Sequence, residues 1–192
     1  ETNPQEVMDL SPVAHLAALE GKVPFINFFD GFRTSHEIQK IEKWDYEDLK
    51  EMCNMDAVEE FRQHALNPEH PAMRGSHENG DVFFQHREAC NPVYDALPAV
   101  VEKYMGKVNE KLGTDYDLFN YYGAEDADRV IIAMGSICDV AEEVIDYLTA
   151  KGEKVGLIKV RLYRPWSSEH ILKVIPKTAK KIAVLDRTKE PG

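Results

Sequence analysis

The residue pair Gly135-Ser136 is the first feature of the sequence with the makings of a chemical site. It follows an apolar run at residues 129–134 and precedes a segment whose apolar residues recur at three- and four-residue steps. This pattern predicts a strand, a sharp turn and a helix. Free backbone N–H groups and the helix dipole at such a turn bind anions, which makes Gly135 and Ser136 candidates for a phosphate site.

The residues at this turn also have a simpler interpretation than a phosphate site. The segment lacks the G-x-G-x-x-G pattern of dinucleotide-binding turns, and the next predicted strand ends in Arg161 and Arg164 rather than in an acid for a ribose. An ordinary strand-to-helix turn, in which Ser136 caps the helix, explains the same residues. Both interpretations stay open at this point.

A second group of candidates, Arg33, Thr34 and His36, follows the apolar run at residues 23–29. Functional groups gather at the carboxyl ends of strands in α/β sheets, and His36 beside Glu37 suggests acid–base chemistry. Adjacent residues do not face one another on a helix, however. Helix capping and hydrogen bonding between domains are the alternative roles for this group.

Arg74 is the last binding candidate, in a loop predicted at residues 66–80 from its proline, glycine, histidine and asparagine content. An arginine presented by a loop suits a phosphate or a carboxylate, and simple solvation is the alternative. Several histidine and cysteine side chains could in principle bind a metal ion, but their spacing matches no HExxH, zinc-finger or CxxC motif. These residues are His70, His77, His86, Cys53, Cys90 and Cys138. We therefore predict no metal site and no catalytic residue within this chain.

Composition narrows the possible partners. The chain has 192 residues, of which 43% are hydrophobic, and a net charge of −11. Such an acidic balance argues against nucleic acid or an anionic membrane as partner. No apolar run reaches transmembrane length. The cysteines are odd in number and widely spaced, as expected for reduced thiols, and this favours a cytoplasmic protein.

The predicted elements indicate an α/β fold. Strands are expected at residues 23–29, 129–134, 155–162 and 181–185, and helices at residues 3–21, 35–41, 91–113, 136–151 and 167–175, with two short helices opened by Asp45 and Asp56. The strand, helix and strand across residues 129–162 predict a right-handed parallel crossover. Its helix carries one apolar stripe, expected to pack on the sheet, formed by Ile137, Val140, Ala141, Val144, Ile145 and Leu148. The aromatic residues 116–122 are expected to pack between domains.

Several stretches closely resemble pyruvate:ferredoxin (flavodoxin) oxidoreductases. The longest is residues 28–42, which read FFDGFRTSHEIQKIE. Shorter ones are residues 65–71 (ALNPEHP), 74–75 (RG), 84–91 (FQHREACN), 121–124 (YYGA), 134–136 (MGS), 163–165 (YRP) and 185–192 (LDRTKEPG). The resemblance covers essentially the whole chain, and the run of residues 28–42 is long enough to be specific.

The resemblance implies an activity, its cofactors and a division of the chain. These enzymes decarboxylate pyruvate on thiamine diphosphate with Mg²⁺, pass electrons through [4Fe–4S] clusters to ferredoxin or flavodoxin, and transfer the acetyl group to coenzyme A. Residues 1–45 look like the end of the pyrimidine-binding domain, residues 46–124 like a bridge, and residues 125–192 like the start of a domain similar to the transketolase C-terminal domain. The whole enzyme is expected to be a homodimer.

The same resemblance implies that this chain is a fragment without activity of its own. In the family, the glutamate that activates the thiamine and the residues near pyruvate lie upstream, and the diphosphate, magnesium and cluster sites lie downstream. An architectural role between two α/β domains follows. The alternatives are a self-contained module that binds a nucleotide or coenzyme A phosphate at Gly135-Ser136, and an interaction scaffold that uses residues 116–122.

Overall fold

A computed structural model describes residues 1–73, 75 and 77–186. In this part of the chain the α-helices are α1 (Pro4–Gly21), α2 (Tyr46–Met52), α3 (Met55–Gln63), α4 (Phe83–Glu88), α5 (Asn91–Leu112), α6 (Ile137–Thr149) and α7 (Ser168–Val174), with a 3₁₀ turn at Thr34–His36. The strands are β1 (Phe119–Gly123), β2 (Arg129–Ala133), β3 (Val155–Val160) and β4 (Lys181–Val184).

The four strands form one mixed sheet in the order β1-β3-β2-β4. β2 pairs with β3 and β4 in parallel, so the parallel pairing predicted for the β2–α6–β3 crossover is confirmed. β1 pairs with β3 in antiparallel orientation, which the sequence prediction missed. Its aromatic residues belong to an edge strand, and Phe119 packs edge-on against Trp166 with ring centroids 5.0 Å apart. The α/β class is therefore correct, with one antiparallel strand added.

The sheet is covered on both faces, as the alternation of side chains along a strand requires. The larger core cluster joins α1, α5 and α7 to one face, through residues that include Leu10, Val13, Tyr104, Val108, Phe119, Val130, Ile132, Ile158 and Ile171. The smaller cluster joins α6 to the other face, through residues that include Ala133, Cys138, Ile145 and Leu157. The chain is thus layered as helix, sheet and helix.

Helix α1 tolerates an internal proline because another residue satisfies the freed backbone group. Asn3 caps the helix by accepting a hydrogen bond from Glu6 N at 3.0 Å. Pro12 has no N–H to donate to the carbonyl of Met8, four residues earlier. The indole Nε1 of Trp44 donates to that carbonyl oxygen instead, at 3.1 Å. The helix continues to Gly21 as one element and packs against α5.

Two predicted elements are wrong. Residues 23–29 form no regular element and pair with no strand of the described chain, and Ile26 is 86% exposed. A run of strand-forming residues becomes a strand only where a neighbouring backbone supplies hydrogen bonds. The helix predicted at residues 35–41 shortens to the Thr34–His36 turn, since Ile38 is 102% exposed and has no surface to pack on.

Candidate functional site

The carboxyl ends of the parallel strands border a crevice of about 810 Å³. Gly135 and Ser136 line it on the sheet side, and residues 26–31 line the opposite side. Open α/β sheets bind their ligands at this edge. The predicted anion candidate therefore lies where a ligand of this fold class is expected, but a segment of the chain itself lies beside it.

Asp30 occupies the hydrogen-bond donors of the Gly135-Ser136 turn. Ser136 N donates to Asp30 Oδ1 at 3.1 Å, and Ser136 Oγ donates to Oδ2 at 2.8 Å. Thr34 Oγ1 donates to the same Oδ2 at 3.0 Å. A carboxylate at the N-terminus of α6 is favoured by the free N–H groups and the helix dipole. A phosphate group would have to displace this carboxylate in order to bind.

The geometry of the turn requires glycine. Gly135 has a φ of +80°, and a Cβ added to it would lie 3.4 Å from Asp30 Oδ1. The predicted side-chain cap is wrong: Ser136 makes no capping bond to its own helix, because its hydroxyl donates to Asp30. We call the contacts among Asp30, Thr34 and Ser136 the Asp30 clamp.

The other predicted binding residues are not brought into the clamp. Thr34 is buried and belongs to it, whereas Arg33 and His36 are exposed on the outer side of the same turn. His36 Nδ1 lies 2.8 Å from Ser35 Oγ, a local contact. Arg74 lies outside the described residues. The structure therefore collects Gly135, Ser136 and Thr34 around Asp30, a residue that the sequence analysis did not select.

A second polar cluster, the α1 joint, lies beneath the crevice and links α1 to the end of β3. Arg161 Nη2 and Nε donate to Glu6 Oε1 at 2.7 and 3.0 Å, and the two side chains are only 6% and 5% exposed. Thr2 N donates to Glu6 Oε2 at 2.6 Å. Arg161 also donates to the side-chain oxygen of Asn120 in β1. Each carboxylate oxygen of Glu6 thus has a donor.

The α1 joint extends along the helix through Asp9. Tyr116 Oη donates to Asp9 Oδ2 at 2.8 Å, and Gln5 Nε2 donates to Oδ1 at 2.8 Å. The Arg161 guanidinium lies 5.0 Å from the centre of the Tyr116 ring, in cation–π range. Buried carboxylates are kept only where they are paired in this way. The first helix is therefore held to the sheet by a connected polar network.

The surroundings of the α1 joint shift its pKa values in opposite directions. Burial acts to raise the pKa of Glu6, but the charge and hydrogen bonds of Arg161, together with the Thr2 N–H, lower it below its ordinary value. Burial, and then the hydrogen bond to Asp9, raise the pKa of Tyr116. Glu6 is thus charged at neutral pH, and Tyr116 is protonated and remains a donor.

Sequence reasoning missed Glu6, Asp9, Asp30 and Arg161 for a common reason. Their partners are distant in the chain: Glu6 and Arg161 are 155 residues apart, and Asp30 and Ser136 are 106 apart. Glu6 reads as an ordinary acidic residue in the first turn of a helix. A charged residue hints at such pairing only where its stretch is predicted to be buried, and nothing in the sequence near Glu6 predicts that.

The described residues do not fit a thiamine diphosphate–magnesium site or an iron–sulfur cluster. Within residues 1–73, 75 and 77–186, no three His, Cys, Asp or Glu side chains are grouped so as to hold a metal ion. Cys53, Cys90 and Cys138 are free thiols. Burial raises the pKa of Cys138 to about 11, so this thiol is protonated and unsuited to metal binding. The turn at Gly135-Ser136, which could bind an anion, already holds Asp30.

The fold defines a layered α/β protein, and comparison with known proteins narrows the class. Residues 1–106 match the family described as "Pyruvate flavodoxin/ferredoxin oxidoreductase, thiamine diP-bdg". Residues 127–192 match "Pyruvate:ferredoxin oxidoreductase core domain II". The chain belongs to the pyruvate flavodoxin/ferredoxin oxidoreductase family. The resemblance noted at residues 28–42 and elsewhere is thereby confirmed.

The relatives are much longer proteins. The chain is 61% identical to the pyruvate-flavodoxin oxidoreductase of Enterobacter agglomerans, over 100% of the chain and 16% of that protein. It is 61% identical to the pyruvate:ferredoxin oxidoreductase of Moorella thermoacetica, over 98% of the chain and again 16% of the relative. A solved 2-oxoglutarate:ferredoxin oxidoreductase from Magnetococcus marinus aligns over 45% of the chain and 16% of that chain, with 33% identity and a TM-score of 0.33.

Proposed function

We infer that the chain is the part of a pyruvate:ferredoxin or pyruvate:flavodoxin oxidoreductase that joins two of its α/β domains. The whole enzyme would decarboxylate pyruvate on thiamine diphosphate with Mg²⁺, send electrons through [4Fe–4S] clusters to ferredoxin or flavodoxin, and form acetyl-coenzyme A. It would work in the cytoplasm as a homodimer. The identity of 61% over the full chain to two such enzymes supports this proposal.

Within that enzyme the chain's own role is architectural. Residues 1–45 would end the pyrimidine-binding domain, residues 46–124 would bridge, and residues 125–192 would begin the domain similar to the transketolase C-terminal domain. The α1 joint carries this proposal, because Glu6 lies in the first matched family region and Arg161 in the second. A buried ion pair with further hydrogen bonds fixes the relative orientation of two elements more strictly than apolar packing does.

The test uses the full-length enzyme and measures pyruvate-dependent reduction of ferredoxin or flavodoxin in the presence of coenzyme A. We expect turnover by the unaltered enzyme. Glu6→Gln should lower its thermal midpoint while kcat and KM of the folded fraction stay close to the unaltered values. Glu169→Gln is the matched control, since Glu169 pairs with Lys173 at 2.7 Å on the surface.

Two results would contradict the proposal, and they are separable. An unaltered full-length enzyme without pyruvate turnover would refute the assigned activity. A Glu6→Gln enzyme with a normal thermal midpoint but a strongly reduced kcat would refute the architectural role, because Glu6 would then act on the chemistry itself.

A further inference from the structure

Helix α6 carries two apolar stripes, and the sheet covers only one of them. The inner stripe, Cys138, Ala141, Ile145 and Leu148, packs on the sheet. The outer stripe is exposed to 44%, 59%, 49% and 60% at Ile137, Val140, Val144 and Tyr147 respectively. The sequence analysis predicted that all the apolar residues of this helix would pack on the sheet. The inner stripe does so and the outer stripe does not, because the apolar arc of α6 is wider than its contact with the sheet.

The outer stripe shares its crevice with an exposed apolar residue that follows β4. Helix α6 packs on β3 and β1, at one side of the sheet. On the same face, Ala183 in β4 lies beside Ile131 in β2 and is exposed. Leu185, just after β4, is 46% exposed and lines the crevice together with Ile137 and Val140. Among the described residues, exposed apolar side chains thus lie both on α6 and at the β4 side of the sheet.

The spacing of the outer stripe suits one helix. Its residues are separated by three, four and three positions, which is the seam along which two helices pack side by side. From Ile137 to Tyr147 the stripe rises about 15 Å, which corresponds to about three turns of a partner helix. A partner strand would instead need unpaired backbone groups, which a helix such as α6 does not offer.

Charge selects the kind of helix. Between Ile137 and Thr149 the chain has four acidic residues and no lysine or arginine: Asp139, Glu142, Glu143 and Asp146. Glu142 is paired with Lys159 at 2.5 Å. Asp139 accepts a hydrogen bond from Asn3 at 3.1 Å and Asp146 accepts one from Tyr122 at 2.8 Å, whereas Glu143 is exposed and borders the outer stripe. A complementary surface would present lysine or arginine beside its apolar residues.

We propose that the outer stripe of α6 is the docking site of an amphipathic helix from the rest of the same enzyme, with basic residues facing Glu143. This rests on the proposed function, because the occupant is another part of that polypeptide. The chain spans 16% of its relatives' length, so most of such a polypeptide lies outside it. A solvent-exposed apolar seam of this kind is typical of an internal contact rather than a free surface.

The experiment places a cysteine on the stripe and measures its accessibility. Val144→Cys is introduced into the 192-residue chain and into the full-length enzyme, and maleimide labelling at position 144 is followed by peptide mass mapping. Labelling should be about tenfold slower or more in the full-length enzyme, because it then requires local opening. Thr149→Cys, exposed on the opposite side of α6, is the matched control and should label at similar rates in both. Glu143→Lys in the full-length Val144→Cys protein should restore fast labelling.

Each other outcome overturns the proposal or part of it. Equal labelling of Val144→Cys in both proteins would show that nothing covers the stripe. Protection in the 192-residue chain itself, with a dimer in sedimentation, would assign the stripe to a second copy. No effect of Glu143→Lys would overturn the basic character of the partner. Pyruvate turnover is measured separately, so a failure of the proposed function does not resemble a failure of this docking site.

Discussion

At the scale of single residues, the chain supplies its own anion to the turn at which a phosphate site was predicted. Asp30 receives the Ser136 N–H, the Ser136 hydroxyl and the Thr34 hydroxyl. These are the donors that a phosphate would use. The carboxylate ties the segment after α1 to the first turn of α6, so the turn serves as a structural clamp.

Removing the clamp should cost measurable stability. Asp30→Ala deprives the α6 N-terminus of its acceptor, and we expect a loss of about 1–2 kcal/mol in the free energy of unfolding, the range of helix-capping residues. Asp30→Asn keeps an acceptor and loses the charge, so its loss should be smaller. Urea denaturation of the three proteins measures this. An Asp30→Ala chain as stable as the unaltered one would contradict the clamp.

The Glu6–Arg161 pair should matter far more than any surface pair. Glu6→Gln leaves the Arg161 guanidinium buried without its counter-charge, which costs about 3–5 kcal/mol. Glu169→Gln, in an exposed pair, should change the free energy of unfolding far less, because solvent and salt screen a surface pair. Chemical denaturation of both variants makes the comparison. Where Glu6→Gln fails to fold, Glu6→Gln combined with Arg161→Met removes the orphaned charge and should recover stability; no recovery would contradict the pairing.

The same pair predicts acid sensitivity. The pKa of Glu6 is lowered in the folded chain from an ordinary value of 4.5. Its contribution is therefore fully present above that ordinary value and is lost as the pH falls through the lower folded pKa. The free energy of unfolding, measured by urea denaturation at a series of pH values, should fall less steeply below about pH 5 in Glu6→Gln than in the unaltered chain. Parallel pH curves for the two proteins would contradict this.

At the scale of elements, close backbone contact explains how β1 joins the parallel strands. Gly123 ends β1 with a φ of +123°, and a Cβ added there would lie 2.6 Å from the Val155 carbonyl oxygen. A side chain would therefore meet backbone atoms that cannot move aside cheaply. The antiparallel edge strand depends on this contact between β1 and β3.

Two glycine substitutions should therefore have opposite effects. Gly123→Ala should lower the free energy of unfolding by more than about 1 kcal/mol, because both its φ and its space exclude a side chain. Gly106→Ala, within α5 and with nothing within 4 Å of the added Cβ, should raise it by about 0.5–1 kcal/mol. Thermal unfolding followed by circular dichroism distinguishes them. A tolerated Gly123→Ala would contradict the β1–β3 geometry.

The two stripes of α6 should also differ in the isolated chain. Ile145 is 4% exposed and Val144 is 49% exposed. Ile145→Ala creates a cavity against the sheet and should cost about 2–5 kcal/mol. Val144→Ala should change the free energy of unfolding by about 0.5 kcal/mol or less, as at other surface positions. Similar losses at both positions, in urea denaturation, would mean that the outer stripe is already covered within this chain.

At the scale of the whole molecule, the described residues hold no group of three His, Cys, Asp or Glu side chains that could bind a metal ion. In this part of the chain no helix has the length and apolar character needed to cross a bilayer. Helical layers cover both faces of one sheet, and the α1 joint connects both matched family regions. Large apolar surfaces outside this core remain exposed at Ile26, Phe32 and Ile38. They suit contacts with further parts of a long enzyme.

The isolated chain should therefore bind neither thiamine diphosphate nor coenzyme A. In calorimetric titrations with thiamine diphosphate plus Mg²⁺, and separately with coenzyme A, we expect no saturable heat, because the Asp30 clamp occupies the donors at Ser136. Binding at about 10 μM or tighter, near −7 kcal/mol, would contradict this expectation. Loss of such binding in Ser136→Glu would then locate a ligand site at the turn.

Local patterns in the sequence determined the elements whose partners are near in the chain. Periodic apolar residues and caps predicted α1, α5, α6 and α7. Two apolar runs flanking α6 predicted the parallel crossover, because that connection has essentially one allowed hand. The family was also recognisable from residues 28–42, because a specific run of residue types can be identified without any knowledge of the fold.

Only the tertiary structure decided which residues meet across the chain. Residues 23–29 have the composition of a strand, but strand formation depends on a neighbouring backbone that the sequence does not specify locally. The wide apolar arc of α6 did not reveal that the sheet would cover only half of it. Glu6 with Arg161, and Asp30 with Ser136, are separated by more than one hundred residues. Burial and pairing of charges are properties of the assembled core, because the free energy of each charge depends on the partner that folding brings to it.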